Sequence, residues 1–184
     1  EKYQEKAEIL REKGTDRSKF FRGQVDKYTW VDFGSSYLPS DLNAAYLYAQ
    51  LEMAKEINDK RMSIWNLYNE AFAELEEKHV VERPFVPDYA VHNAHMYYLK
   101  LKDLETRTAF IRYMKENGVQ CVFHYIPLHT ATAGKKFGRF HGEDIYTTKE
   151  SERLVRLPMY YNLDLSQAQQ VADLVRKFPG YKEI

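Results

Sequence analysis

"AHMYYLKLKDLETRTAFIRYMKENGVQCVFHY", residues Ala94 to Tyr125, changes period twice. In its first eight residues Tyr97, Leu99 and Leu101 fall on one side, and Met96, Tyr98 and Lys100 on the other. That alternation predicts a strand with one wetter face. "TRTAFIRYMKENG" then spaces its apolar residues for a helix, starting near Thr106 and stopping at Gly118. "VQCVFHY" is an apolar run and reads as a second strand. A strand, a helix and a second strand in so short a span predict a small sheet covered by helices, an α+β layer.

Upstream, Ser40 is positioned to cap a helix, or Pro39 takes its first turn. Leu42, Ala45, Tyr46, Ala49, Met53, Ile57, Ile64, Leu67, Tyr68, Ala71, Phe72 and Leu75 recur mostly at three- and four-residue spacings. No Gly or Pro intervenes before Pro84, so one long helix of roughly 50 Å is expected. Ahead of it, Thr15 to Ser36 holds no period, and Lys2 to Lys13 reads as a short helix stopped at Gly14. Downstream, "IPLHTATAGKKFGRFHGEDIY" is long for a plain connector, which favours a functional loop. Thr147 with Glu150 suggests a capping box opening a helix to Arg156, and Ser166 with Gln169 a second one. "RLPMYYN" between them reads as extended.

The chain has 184 residues, enough for one ordinary domain with a core. It has 27 basic and 27 acidic side chains, a balance that argues against a general nucleic-acid or anionic-membrane binder. No apolar run is long enough to span a bilayer. The charged start "EKYQEKAEILREKG" is not a signal peptide. It opens inside a helical pattern without Met, so a piece of a longer protein is expected. The lone Cys121 excludes an internal disulfide, fits a reducing cytoplasm and lies in an apolar run, as buried inert thiols do.

His92 and His95 are three apart, a metal-ligand spacing on a helix. At the start of a strand it sends the side chains to opposite faces, and no His-Glu-x-x-His or cysteine pair accompanies them. His124, Tyr125 and His129 flank a strand end, where they can serve a sugar or an anion or simply be wet. Arg11, Lys13, Arg17, Lys19, Arg22 and Lys27 make the N-terminal segment locally basic, interleaved with Phe20, Phe21, Tyr28 and Trp30. Guanidinium suits phosphate and aromatic rings suit a nucleotide base, whereas Glu12, Asp16 and Asp26 favour an ordinary solvated face. No phosphate-binding glycine motif, nucleophile elbow or kinase signature is present.

Four stretches together resemble one family. They are "FFRGQVDKYTWVDFGSSYLPSDLNAAYLYAQLE" (20–52), "NAHMYYLKL" (93–101), "HYIPLH" (124–129) and "FGRFHGEDIYTTKESERLVRLPMYYNL" (137–163). In this order they resemble the C-terminal portion of nucleotide-sugar aminotransferases of the DegT/DnrJ type, fold-type I enzymes that use pyridoxal 5'-phosphate. The resemblance implies that residues 1–38 close a large domain and carry an active-site and interface loop. It implies that residues 39–184 form the small domain, entered by the long helix. A TDP-sugar acceptor, glutamate as donor, a homodimer and a cytoplasmic setting follow from the same resemblance. The lysine that bonds the cofactor and the Asp that pairs with its ring nitrogen lie upstream of the resembling segment, so neither is assigned here.

Ser36 and Tyr37 are implied at the phosphate of a neighbouring subunit's cofactor. The family's Gly-x-Asn-Tyr-Arg loop reads "GSSYLP" here, with Ser36 in place of the Asn and Leu38 in place of the Arg. Arg22, Lys27, Tyr28 and Trp30 are implied at the nucleotide sugar and the interface, and His124, Tyr125 and His129 on the substrate side of the small domain. Two rival classes are a metal-dependent hydrolase built on the histidines and a non-catalytic domain docking through the aromatic loop.

Overall fold

The computed structural model describes residues 2–183, apart from the side chains of Lys182 and Glu183. The chain divides into two compact units, Glu1–Ala54 and Lys55–Ile184. The division falls inside the stretch expected as one helix, not at its start.

The first unit holds α1 (Gln4–Arg11), α2 (Arg17–Phe21) and α3 (Asp41–Glu52). α1 stops at a turn in which Gly14 takes φ +77°. A Cβ on Gly14 would lie 1.8 Å from the Asp32 carbonyl oxygen, and one on Gly34 would lie 2.0 Å from the Gly14 nitrogen. Only glycines permit so close an approach. The loop is fastened there: Val31 and Asp32 donate their N–H groups to the Gly14 carbonyl at 2.8 and 3.0 Å. Asp16 accepts from the Thr29 N–H at 2.7 Å, and Glu12 accepts from the Ser18 N–H and hydroxyl at 3.0 and 2.9 Å. α2 is a short helix inside the stretch expected to lack one. Ser40 caps α3 as expected, its hydroxyl accepting from the Asn43 N–H at 3.3 Å.

The helical run continues as α4 (Ala54–Ala71) and α5 (Ala73–Glu77), interrupted at Met53 and Phe72. Both breaks carry ψ near 6° without Gly or Pro, so no punctuating residue marks them in the sequence. The one long helix is therefore three helices.

The second unit carries the sheet. β1 (Tyr97–Lys100), β2 (Val122–Phe123) and β3 (Leu154–Leu157) are antiparallel in the order β1-β3-β2. Tyr97 pairs with Leu157 and Leu99 with Val155, while Val122 pairs with Arg156. The expected alternation holds in β1: Tyr97 and Leu99 are buried, and Tyr98 and Lys100 are half-buried. α6 (Leu104–Glu116) begins two residues before the expected cap, with Asp103 accepting from the Thr106 N–H at 2.8 Å. A short α7 (Thr132–Phe137) interrupts the long loop. α8 (Thr147–Arg153) ends before Arg156, because Leu154 onward belongs to β3, and Tyr146 rather than a side-chain cap precedes it. α9 (Leu165–Arg176) opens on a capping box, but it is Asp164 with Gln167, two residues ahead of the expected pair. A 3₁₀ turn, Pro179–Glu183, follows.

One core joins these pieces. Ile64, Trp65, Tyr68 and Phe72 pack with Tyr97, Leu99, Phe110, Met114, Val155 and Val175. Tyr68 is fully buried, and its hydroxyl donates to the Pro158 carbonyl at 2.9 Å, which satisfies the one polar atom that burial strands. Phe110 meets Phe178 edge-on at 5.2 Å. Cys121 is buried, and desolvation pushes its thiol up to about 12, so it is an un-ionised core group at neutral pH.

Candidate functional site

Each unit carries a cleft beside the residues that the sequence singled out. In the first, a cleft of about 760 Å³ is lined by Arg11, Lys13, Arg17, Tyr28, Ser36 and Ser40, among others. The isolated bridges Glu12–Ser36 and Thr15–Trp30 hold the loop against the turn after α1 and so bring Ser36 to its wall. The Tyr28 ring leans edge-on against Phe20 at 5.8 Å. Arg17 lies over the Phe21 ring at 5.1 Å. Three cations and the hydroxyls of Ser36 and Ser40 give the cleft a donor-rich wall, tempered by Glu12 and Asp41.

The other candidates of this unit lie elsewhere. Arg22 grips Glu8 with both ends of its fork, at 3.0 and 2.7 Å. That bond is the main reason the Glu8 carboxyl sits below its usual range. Lys27 is exposed, as are Trp30 and Tyr37 at 73% and 71%. None of these four lines the cleft that Tyr28 and Ser36 share.

In the second unit, β2 delivers Phe123 and the chain then turns at Tyr125, whose φ is +48°. Tyr125 lines a cleft of about 430 Å³ with Leu104, Arg107, Phe123, Ile126 and Glu152. His124 packs on Tyr125 at 5.1 Å, and its Nδ1 is buried with no hydrogen-bond partner among the described residues.

His129 faces a different set of groups. Its Nε2 lies 2.6 Å from Asp144 Oδ2, and its ring packs on Phe140 at 4.4 Å. Asp144 also accepts from the Thr148 N–H at 3.2 Å and from the Thr148 hydroxyl. The Thr148 hydroxyl, followed by the imidazole, holds the Asp144 carboxyl at about 2. His129 thus ties the chain after β2 to the start of α8. Asp144 and Thr148 were not singled out in the sequence, since their partner lies 15 and 19 residues away across an aperiodic loop.

His92 accepts from the Ala94 N–H at 3.3 Å and packs edge-on against Trp65 at 4.6 Å. Among the described residues, no group of three His, Cys, Asp or Glu side chains is placed to hold a metal ion. No described helix is long and apolar enough to cross a membrane.

Comparison with known proteins turns this geometry into a family assignment. Residues 1–176 match the DegT/DnrJ/EryC1/StrS aminotransferase family. The chain belongs to that family. An uncharacterized protein of Methanocaldococcus jannaschii is 30% identical over 191 residues, covering 96% of this chain and 47% of its own length. Among solved structures, the aminotransferase TlmJ from Streptoalloteichus hindustanus superposes with a TM-score of 0.76 at 22% identity, over 98% of this chain and 45% of that one. PseC of Helicobacter pylori, an aminotransferase of pseudoaminic acid biosynthesis, gives 0.77 at 18% identity, over 100% of this chain and 47% of that one. At these identities the structures establish the shared fold. The chain spans about half the length of these relatives. Its mixed helices and small antiparallel sheet fit the C-terminal portion of an aminotransferase fold, as the sequence led one to expect.

Proposed function

We propose that the complete gene product transfers an amino group from glutamate to the C4 ketone of TDP-4-keto-6-deoxy-D-glucose, giving TDP-4-amino-4,6-dideoxy-D-galactose, a sugar of enterobacterial common antigen. Family membership supports the reaction type. The nucleotide sugar is favoured by the wording of residues 20–52 and 137–163, and the observation that carries the reading is the cleft that joins Tyr28 and Ser36 to three cations.

That cleft suits the family's cofactor. The Ser36 hydroxyl, with Arg11, Lys13 and Arg17 on the same wall, is a donor set fit for a phosphate monoester. Tyr37, next to Ser36 in sequence but outside that cleft, is proposed at the cofactor phosphate of a neighbouring subunit. Pyridoxal 5'-phosphate, when bound, supplies an electron sink for the carbon that gains or loses the amino group. The residues of this chain bind and orient. Tyr28 offers a ring for the nucleotide base. Lys27 and Trp30 serve the nucleotide sugar or the subunit contact. Arg22 is proposed for the same contacts, although its fork is held by Glu8 outside the cleft. Within the second unit, His124 and Tyr125 are the proposed substrate contacts, and His129 positions that segment through Asp144. The exposed Trp30, Tyr37, Leu42 and Tyr46 are the proposed contacts of a homodimer.

The test is to incubate the complete gene product, loaded with pyridoxal phosphate, with glutamate and TDP-4-keto-6-deoxy-D-glucose. The expected result is a TDP-amino sugar with 2-oxoglutarate in equal amount, whose C4 configuration is fixed by NMR. No amino sugar from this ketone, but turnover of another nucleotide sugar, would overturn the substrate and keep the reaction.

A further inference from the structure

We propose that the cleft between the start of α6 and the chain leaving β2 is a binding site for a monocarboxylate with an apolar body, gripped by the Arg107 guanidinium. Arg107 projects from the first turns of α6 into a cleft of about 430 Å³ whose other walls are Leu104, Phe123, Tyr125, Ile126 and Glu152. Its Nε is buried and has no hydrogen-bond partner among the described residues. Elsewhere in the unit the corresponding nitrogen is used: Arg61 Nε donates to the Ala94 carbonyl at 3.0 Å, Arg83 Nε to Glu76 at 2.7 Å and Arg153 Nε to the Leu101 carbonyl at 2.7 Å. Arg156 Nε is also unpartnered, but that guanidinium reaches the Phe123 carbonyl at 3.5 Å. A guanidinium nitrogen drawn out of water without an acceptor is a costly arrangement, and burial lowers the Arg107 pKa against the opposing charge of Glu152.

The rest of the cleft says what completes it. The Arg107 guanidinium lies over the Phe123 ring at 5.4 Å. A planar guanidinium fork matches the two oxygens of a carboxylate. Leu104, Phe123, Ile126 and the adjoining Pro127 then offer an apolar surface to whatever the carboxylate is attached to. Glu152 on the same wall acts on Arg107 by its charge and opposes any anion there, a doubly charged one such as glutamate or a phosphate dianion most. Tyr125 keeps a left-handed backbone at the mouth of the cleft, and such strain in non-glycine residues clusters at ligand sites.

This site shares Tyr125 with the proposed substrate contacts and Thr148 with the His129–Asp144 clamp, but it rests on Arg107, which the transaminase reading does not use, so the experiment is read on Arg107. The experiment titrates the 184-residue chain with phenylacetate, acetate, glutamate and inorganic phosphate while amide chemical shifts are followed. Phenylacetate is expected to shift residues 104–107 and 123–126 saturably, and to bind at least about tenfold more tightly than the other three, because only it buries an apolar body. Arg107→Gln is expected to weaken phenylacetate by about tenfold or more. Arg107→Lys, which keeps the charge but not the planar fork, should fall between and serves as the deciding variant if the Gln form does not fold. No saturable shift in the native chain would overturn the site. Affinity unchanged in a folded Arg107 variant would overturn the role of the guanidinium, and equal affinity for acetate or phosphate would overturn the apolar body.

Discussion

The two units differ in whether they bury large apolar side chains at all. In Lys55–Ile184 Trp65, Tyr68, Phe72, Tyr97, Phe110 and Phe178 are buried, although Phe85, Tyr89, Phe137 and Tyr146 stay open. In Glu1–Ala54 the large apolar side chains stay wholly or partly open, with Phe33 at 82%, Trp30 at 73% and Leu42 at 84% exposed, and α3 buries no residue at all. The first unit keeps its shape through backbone hydrogen bonds at Gly14, through Asp16 and Glu12, and through surface ion pairs such as Lys6–Asp32 and Arg22–Glu8. Such pairs contribute little each. An apolar stretch thus marks a core only where the chain folds back on it, and otherwise marks a surface available for contact.

The contrast can be broken most forcefully in the second unit. Phe110→Ala removes a fully buried ring that packs on Phe178, and should destabilise this unit by about 3–5 kcal/mol. Denaturant unfolding of the variant measures it, and a loss below 1 kcal/mol (roughly the scale of a surface change) would mean that the core is not shared as described.

A smaller, local effect is expected at Asp144. Its carboxyl is held at about 2 against an ordinary 3.8. A depressed folded-state pKa contributes stability that is fully present above the unfolded value and is lost as pH falls through the folded one. The bonds from Asp144 to Thr148 and His129 should therefore persist at pH 5 (about one unit above that ordinary range) and loosen on acidification toward pH 2. Hydrogen exchange at the Thr148 amide reports this directly. Protection that is flat across that window in the native chain, or unchanged in Asp144→Asn at neutral pH, would remove Asp144 from the clamp.

The smallest effect is expected at Trp30. Trp30→Ala in the 184-residue chain should change stability by no more than about 0.5 kcal/mol, since the ring is mostly open. The same substitution in the complete gene product should weaken self-association, read by sedimentation at falling protein concentration. A large loss of stability in the short chain would erase the difference between the two units.

Local rules made much of this legible. Ser40 at a helix start, the alternation through Tyr97 and Leu99, and Gly118 after α6 each express a backbone preference of a few neighbouring residues. What escaped depends on distant partners. Leu154 and Val155 read in sequence as the end of a helix, with the extended piece starting only at Arg156, and pairing with both β1 and β2 makes all of Leu154–Leu157 a strand. Ser166 is the expected cap of α9, but Asp164 takes that place, and the Ser166 hydroxyl donates to it at 2.7 Å. At the site, Tyr28 and Ser36 were singled out and do share a cleft. Arg107 was passed over because nothing in "TRTAF" shows that Phe123 and Ile126 will lie beside it.

The sheet order also sets a schedule. β1 and β2 do not pair with each other; each pairs only with β3, which lies last in sequence. A growing chain that has emerged through α8 therefore has no sheet to join, and the apolar faces of β1 and α6 remain without their central strand. Pairing β1 with β3 must close a loop of more than fifty residues (an order-of-magnitude span, for which closure cost grows only slowly with length). At synthesis rates of about 5–20 residues per second, that leaves the half-built layer waiting for seconds. During that interval the nascent second unit is exposed to aggregation, and a holding chaperone would find its binding surface in Tyr97, Leu99 and Phe110.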